Sequence, residues 1–144
     1  MKTSTLTDYY VGQFASIERT FTKEDLEIYA KFSREFNEVY NTVKDAWESF
    51  FKVPIIPGLL PESLIIEVIS KKLPGTACVL LQKEIVYSQP IYLGDTIRAE
   101  LQIIDINHQR NWITQKITCI NQHGNEVIKG QVVVFLLPEE RKRK

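Results

Sequence analysis

Residues 57–75 read PGLLPESLIIEVISKKLPG, and this stretch decides the architecture of the chain. Pro57-Gly58 is a turn signal, and Pro61 suits the first position of a helix, where its missing N–H costs nothing. The predicted helix runs to about Lys72, and Pro74-Gly75 stops it. Because apolar residues cover most of its circumference, we expect this helix to be buried on nearly all sides.

The sequence after residue 75 changes from a helical period to a period of two, which indicates strands. Strands are predicted at about 77–89, 95–106, 111–121 and 127–137, with hairpin connections at 107–111 and 121–125. A buried helix needs a layer around it. A strongly curved antiparallel sheet wrapped around the long central helix supplies that layer, so the predicted fold class is α+β.

The part of the chain before the long helix is predicted to contain a short strand near 13–20 and then helices. Two capping boxes, which are typical helix starts, begin at Thr22 and Thr42. Three bulky aromatic residues follow the second box and are expected in the core or along an apolar tunnel: Trp47, Phe50 and Phe51.

The composition fits one globular domain over residues 1–144, with a basic tail at 139–144 that we expect to be frayed. The chain is 44% hydrophobic and 25% charged, which excludes disordered and fibrous classes. Its 18 basic and 18 acidic residues balance, which argues against nucleic-acid binding. Apolar stretches such as 132–137 are far shorter than the ~18 residues that span a bilayer, so no membrane partner is expected.

The two cysteines, Cys78 and Cys119, are too few for a disulfide framework, and the start MKTSTLTDYYVGQ lacks an apolar signal core. Both are therefore predicted to be reduced thiols in a cytoplasmic protein. The two histidines, His108 and His123, fall in predicted hairpin turns and are interpreted as surface residues. Because these four residues are scattered, neither a metal site nor a cofactor is predicted.

Several segments, in their order and spacing, resemble the MaoC-like, (R)-specific enoyl-CoA hydratase group of hot-dog folds. The most characteristic is Pro90-Ile91-Tyr92-Leu93-Gly94-Asp95-Thr96, directly before a predicted strand. The others lie at 21–25, 33–40, 56–63, 73–75 and 130–138. The resemblance covers the chain from about Thr20 to Pro138, and it implies a sheet curved around the helix near 60–72.

The resemblance also implies a substrate and an assembly. The expected ligand is an acyl thioester of coenzyme A or acyl carrier protein, in a tunnel near the interface of two paired sheets. The second sheet comes from a homodimer or from a heteromer with another hot-dog chain. Hydratases of this group add water to trans-2-enoyl thioesters or remove it in reverse. An Asp and a His activate the water, and a glycine amide near the helix start binds the thioester oxygen.

The chain departs from the family pattern at the residues that carry this chemistry. The family motif reads roughly Ser-Gly-Asp-x-Asn-Pro-x-His, whereas residues 33–40 read Ser-Arg-Glu-Phe-Asn-Glu-Val-Tyr. The resemblance therefore assigns the catalytic positions to Glu35 and Tyr40. Asn37 coincides with the motif and is a candidate for substrate binding.

Two residues of the long helix and its approach also match the family's binding site. Gly58 is retained, although the histidine before it is Pro57 here. A glycine lets a thioester approach the backbone closely, or it makes a tight turn. Ser63 matches a serine of the family's tunnel, and its other interpretation is a helix serine bonded to its own backbone.

The substituted pair changes the expected chemistry. A tyrosine is a poorer base than a histidine at neutral pH, because its ordinary pKa is about 10 rather than about 6.5. Glu35 could act as a base alone if burial raised its pKa. Its other interpretation is a surface residue that caps a helix or forms a salt bridge.

Three functions follow from this sequence. The first is an acyl-thioester hydratase or dehydratase that uses Glu35 and Tyr40. The second is a non-catalytic acyl-thioester-binding subunit of a hot-dog heteromer. The third is an acyl-CoA thioesterase that uses Glu35 or Glu67, a carboxylate on the long helix. Four scattered basic residues are candidates for contacts with coenzyme phosphates: Lys71, Lys72, Lys83 and Arg98.

Overall fold

The structure, a computed structural model, describes residues 5–34 and 54–138 of the chain. In these two segments a short 3-10 turn at Leu6–Asp8 precedes one strand, two helices and four strands, which follow one another in the predicted order. In chain order they are β1 (Phe14–Thr20), α1 (Lys23–Ser33), α2 (Leu59–Lys71), β2 (Cys78–Tyr87), β3 (Thr96–Asn107), β4 (Trp112–Ile120) and β5 (Glu126–Leu136).

The strands form one antiparallel sheet in the order β1-β3-β4-β5-β2. Consecutive hairpins join β3, β4 and β5, so β1 and β2 lie at the two edges. The predicted period of two is clearest in β4, where every second residue is fully buried: Ile113, Gln115, Ile117 and Cys119. The pairing of β2 with β5 contains a register shift between Leu80 and Gln82, which marks a bulge.

α2 packs against the sheet on the side of β1 and β3. Leu64 and Ile65 are fully buried there, whereas Ser63, Ile66 and Ser70 on the other side are exposed. The helix is therefore buried along one broad face rather than on nearly all sides. This helix on a single antiparallel sheet is the α+β hot-dog fold that the sequence predicts.

The start of α1 is the predicted capping box. The Thr22 hydroxyl oxygen accepts a hydrogen bond from the Asp25 N–H at 3.2 Å, and the Asp25 carboxylate accepts one from the Thr22 N–H at 3.0 Å. These two bonds give acceptors to two backbone N–H groups that would otherwise have no partner at the start of the helix. The second box, which begins at Thr42, and the aromatic residues after it lie outside the described residues.

The ends of α2 are close to those predicted. The helix begins at Leu59, two residues before Pro61. Pro61 fits there because the N–H groups of the first turn have no partner within the helix, so a missing N–H costs nothing. At its other end Gly75 has a left-handed backbone, with φ 68°, and donates a hydrogen bond to the Ile69 carbonyl at 3.0 Å. Within residues 5–34 and 54–138, neither helix has the length and apolar character needed to cross a bilayer.

Candidate functional site

A cavity of about 460 Å³ opens beside the first turn of α2. Its wall is mostly apolar and comes from α1, from the segment that enters α2, from the end of β2 and from the connection at 88–91. The entering segment is held in place by the sheet connection: the Ile56 N–H donates to the Ile91 carbonyl at 2.9 Å, and the Leu93 N–H donates to the Pro54 carbonyl at 2.8 Å. The cavity therefore has a fixed backbone on two sides.

The start of α2 lines this cavity with two residues whose amides have no acceptor in the described part of the chain. The Leu60 N–H donates to the Pro57 carbonyl at 3.0 Å, and the Glu62 N–H donates to the Gly58 carbonyl at 3.2 Å. The N–H groups of Gly58 and Leu59 have no acceptor among the described residues, and both residues line the cavity. Since the start of a helix also carries a partial positive charge, this turn can bind an anion or a polarised carbonyl oxygen.

The structure shows why residue 58 is a glycine, which the sequence alone did not explain. Its backbone is right-handed helical, with φ −60° and ψ −30°, so the position does not require a glycine-only conformation. A Cβ atom at Gly58 would overlap the ring of Tyr87, the last residue of β2. The glycine therefore makes room for Tyr87, and both residues line the cavity.

Ser63 does not line the cavity and is exposed. Its hydroxyl donates a hydrogen bond to the Leu60 carbonyl at 2.6 Å, within its own helix. This geometry fits the interpretation of Ser63 as a helix serine bonded to its own backbone. A contact between Ser63 and a substrate stays a prediction.

The predicted residues Glu35, Asn37 and Tyr40 lie outside the described residues. α1 precedes them in the sequence: its Tyr29 lines the cavity, and the helix ends at Ser33. Arg34 then adopts a left-handed backbone, with φ 58°, and its N–H donates to the Ala30 carbonyl at 2.9 Å. The catalytic and binding roles assigned to these three residues stay predictions.

Most of the other charged candidates have partners in the protein. Glu67 and Lys71 form an ion pair at 2.7 Å on the helix surface. The Lys72 ammonium donates to the Ser16 carbonyl at 3.0 Å, and Arg98 lies 3.9 Å from Glu100. A thioesterase base at Glu67 and phosphate contacts from these basic residues therefore gain no support from the structure.

The two histidines lie where the sequence predicts them. His108 is exposed in the β3–β4 turn, and His123 is exposed in the β4–β5 turn, where its N–H donates to Asn121 Oδ1 at 3.0 Å. Both are thus surface turn residues. Both cysteines are thiols, Cys78 on β2 and Cys119 on β4.

Sequence reasoning missed one buried charge next to this site. Glu62, in the first turn of α2, is 5% exposed and forms an ion pair at 2.5 Å with Lys83 on β2. From the sequence, Lys83 is a candidate coenzyme contact, and Glu62 is only a negative charge that favours the positive start of the helix. The available signal was its helical spacing: Glu62 precedes Ile65 by three residues and Ile69 by seven, so it shares their buried face.

Cys119 is fully buried on β4, and its thiol lies near the Glu62 carboxylate. Burial, together with the negative charge of Glu62, raises the pKa of the Cys119 thiol to about 12. Only about one thiol in 10⁴ is then ionised at pH 8, and the thiolate is the reactive form.

We therefore expect Cys119 to be nearly inert in the folded protein. In a Cys78→Ser variant, an aromatic disulfide reagent at pH 8 should react at least ~100-fold more slowly with the native chain than with the urea-unfolded chain. The reaction is followed by the released chromophore. A Cys119→Ser variant gives the rate of Cys78 for comparison. Equal rates for Cys119 in the native and unfolded states would contradict the buried, neutral thiol.

Comparisons with known proteins find sequence relatives that are named as hydratases and dehydratases of acyl thioesters, and solved structures with the same fold. The chain is 26% identical over 129 residues to an (R)-specific enoyl-CoA hydratase of Rhodospirillum rubrum, with 90% of this chain and 89% of the relative covered. It is 28% identical over 128 residues to the mitochondrial 3-hydroxyacyl-acyl-carrier-protein dehydratase FERN of Solanum lycopersicum, with 88% and 76% covered. The solved R-hydratase PhaJ1 of Pseudomonas aeruginosa superposes with a TM-score of 0.87 at 27% identity, covering 94% of this chain and 86% of that one. No protein-family model matches the chain.

Proposed function

Because the chain belongs to the MaoC-like family of hot-dog proteins, we propose that it binds an acyl thioester at the start of α2 and adds or removes water there. The substrate is a trans-2-enoyl thioester of coenzyme A or acyl carrier protein, and the product is the 3-hydroxyacyl thioester. The names of the two sequence relatives support this class of reaction.

One observation carries the proposal: Gly58 and Leu59, whose amides have no acceptor within residues 5–34 and 54–138, line an apolar cavity of about 460 Å³. When water adds to the enoyl double bond, negative charge develops on the thioester oxygen. Fixed amide donors at a helix start stabilise that charge without reorganising. The apolar wall suits the acyl chain, and the volume lies in the range of small-molecule sites.

We assign the proton transfers to Glu35 and Tyr40, as the family resemblance implies. The Glu35 carboxylate takes a proton from water while the water oxygen bonds to the β-carbon. The double-bond electrons move towards the thioester oxygen, and the carboxylic acid then returns the proton to the α-carbon. Tyr40 holds the water by a hydrogen bond. Asn37 and Ser63 are kept as candidates for substrate contacts.

A second candidate is a non-catalytic, thioester-binding subunit. The observation that favours it is Tyr40 at the position of the family histidine. In either case we propose assembly through the β2 edge, as a homodimer or with another hot-dog chain. Exposed apolar side chains are unfavourable on an edge strand that faces water. β2 exposes several of them: Val79, Leu80, Leu81 and Val86. The cytoplasm is the proposed location, as expected for a protein with two thiols.

The test is hydration of a short trans-2-enoyl-CoA, followed by loss of its enoyl absorbance. We expect slow turnover by the wild-type chain and a loss of at least ~10²-fold in Glu35→Gln, since general acid–base groups contribute that much. The double variant Glu35→Asp, Tyr40→His should be faster than wild type. Glu27→Gln, on the exposed face of α1, is the matched control and should keep the wild-type rate.

Each other outcome selects a different function. Binding of acyl-CoA without turnover would support the non-catalytic subunit and reject the hydratase. Release of free coenzyme A would support a thioesterase. No binding of acyl-CoA or acyl carrier protein thioesters would reject the proposed site itself.

A further inference from the structure

Tyr87 occupies a position in the cavity that the family resemblance does not assign. It is the last residue of β2 and lines the cavity beside the start of α2. Its ring lies against the α-carbon of Gly58, where it fills the space that any larger residue would take. The glycine and the tyrosine are thus fitted to each other across 29 residues of sequence.

The hydroxyl of Tyr87 lies at the same end of the ring as this contact. It is 2.8 Å from the point that a Gly58 Cβ would occupy, so it sits beside the first turn of α2. It has no hydrogen-bond partner among residues 5–34 and 54–138, and the side chain is 48% exposed. A phenol in this position is a donor and acceptor that is available to a ligand.

We propose that Tyr87 contacts the substrate and that its hydroxyl donates a hydrogen bond to the thioester carbonyl oxygen, beside the Gly58 and Leu59 amides. This inference rests on the proposed function, because it names a further residue of the same site. The ring packs on Gly58 and limits the rotation of the side chain. A donor that is held in place before the substrate arrives stabilises developing charge without having to be reoriented.

The contact makes a kinetic prediction that a purely structural role does not. A hydrogen bond to the thioester oxygen strengthens as negative charge develops, so its loss lowers kcat more than it raises KM. Tyr87→Phe keeps the ring on Gly58 and removes only the hydroxyl. We expect kcat for enoyl-CoA hydration to fall ~10–100-fold in this variant, and KM to rise by the smaller factor of ~3–10-fold, because the ground-state carbonyl also loses one hydrogen bond.

Two further variants separate the hydroxyl from the ring. Tyr92→Phe is the matched control, because Tyr92 lies on the connection before β3 but does not line the cavity. It should keep both wild-type constants. Tyr87→Leu removes the ring as well and should raise KM in addition, because the wall over Gly58 is lost. A Tyr87→Phe enzyme with wild-type kcat would overturn the proposal while leaving the proposed function intact.

Binding of butyryl-CoA, measured by isothermal titration calorimetry, keeps the inference testable if the wild-type chain does not turn over. Tyr87→Phe should then raise the dissociation constant ~3–10-fold, which is the effect of one lost hydrogen bond, and Tyr92→Phe should leave it unchanged. Equal dissociation constants for Tyr87→Phe and wild type would overturn the contact. Failure of the wild-type chain to bind butyryl-CoA would overturn both the contact and the proposed site.

Discussion

Replacement of Lys83 by methionine is expected to lower the free energy of unfolding by about 3–5 kcal/mol, because it leaves a buried carboxylate without its partner. Glu62 is 5% exposed, and its ion pair among the described residues is the 2.5 Å contact with Lys83. Methionine keeps most of the length and packing of the lysine stem, so the loss reports the charge. Urea unfolding followed by circular dichroism measures it.

Two controls isolate this cost. Lys71→Met breaks the exposed pair with Glu67, and we expect a loss of only about 0.3–0.5 kcal/mol. The double variant Glu62→Leu, Lys83→Met removes both charges and should recover most of the stability, because apolar replacements of a buried pair are often neutral. If Lys83→Met were no less stable than Lys71→Met, the Glu62–Lys83 pair would not hold the helix to the strand.

The Glu62–Lys83 pair and the Gly58–Tyr87 contact join the same two elements. Both connect the first turn of α2 to β2, an edge strand that pairs with β5 in the sheet. The geometry of the proposed thioester site therefore depends on a strand that is also the proposed assembly edge. This coupling gives a physical reason why pairing at β2 would affect binding at the cavity.

The local parts of the fold could be predicted from the sequence. The capping box at Thr22 needs only a hydroxyl and a carboxylate three residues apart, and both hydrogen bonds are present. The turns at 107–111 and 121–125 follow from polar clusters between alternating segments, and they join β3–β4 and β4–β5. Each of these features depends on residues that are close together in the sequence, so the local sequence is enough to predict it.

The long-range parts could not be predicted in the same way. Strand order places β2 beside β5, far from its neighbour in sequence, and the register shift near Leu80 changes which side of the strand the next residues face. The orientation of Lys83 and Tyr87 therefore could not be read from alternation. For the same reason the sequence related Gly58 to a turn or a thioester, whereas the structure relates it first to Tyr87.

The candidate site also contains parts that the sequence predicts and parts that it does not. Its helix start, with Gly58, was found from turn chemistry and from the family resemblance. The positions Glu35 and Tyr40 rest on the resemblance alone, because they lie outside the described residues. Tyr87 was missed because a tyrosine at the end of a predicted strand has no local feature that distinguishes a binding residue from a surface residue.

Replacement of Gly130 by alanine is expected to lower the free energy of unfolding by more than about 4 kcal/mol, a loss of the size that marks a specific structural cause. Gly130 lies in β5 between Ile85 of β2 and Ile117 of β4. A Cβ atom there would overlap the backbone carbonyl oxygen of Glu84. A backbone atom cannot rotate away as a side chain does, so β2 would have to move off the sheet.

The adjacent substitution Gln131→Ala is the matched control, since it changes the same strand without this close approach, and it should cost less than about 1 kcal/mol. Urea unfolding gives both values. Displacement of β2 would also carry Lys83 and Tyr87 away from α2, so any Gly130→Ala protein that still folds should bind butyryl-CoA at least ~10-fold more weakly than Gln131→Ala, about the energy of one strong hydrogen bond. A Gly130→Ala chain with wild-type stability would show that β2 does not pass against Gly130, and it would remove the basis for fixing Tyr87 over the start of α2.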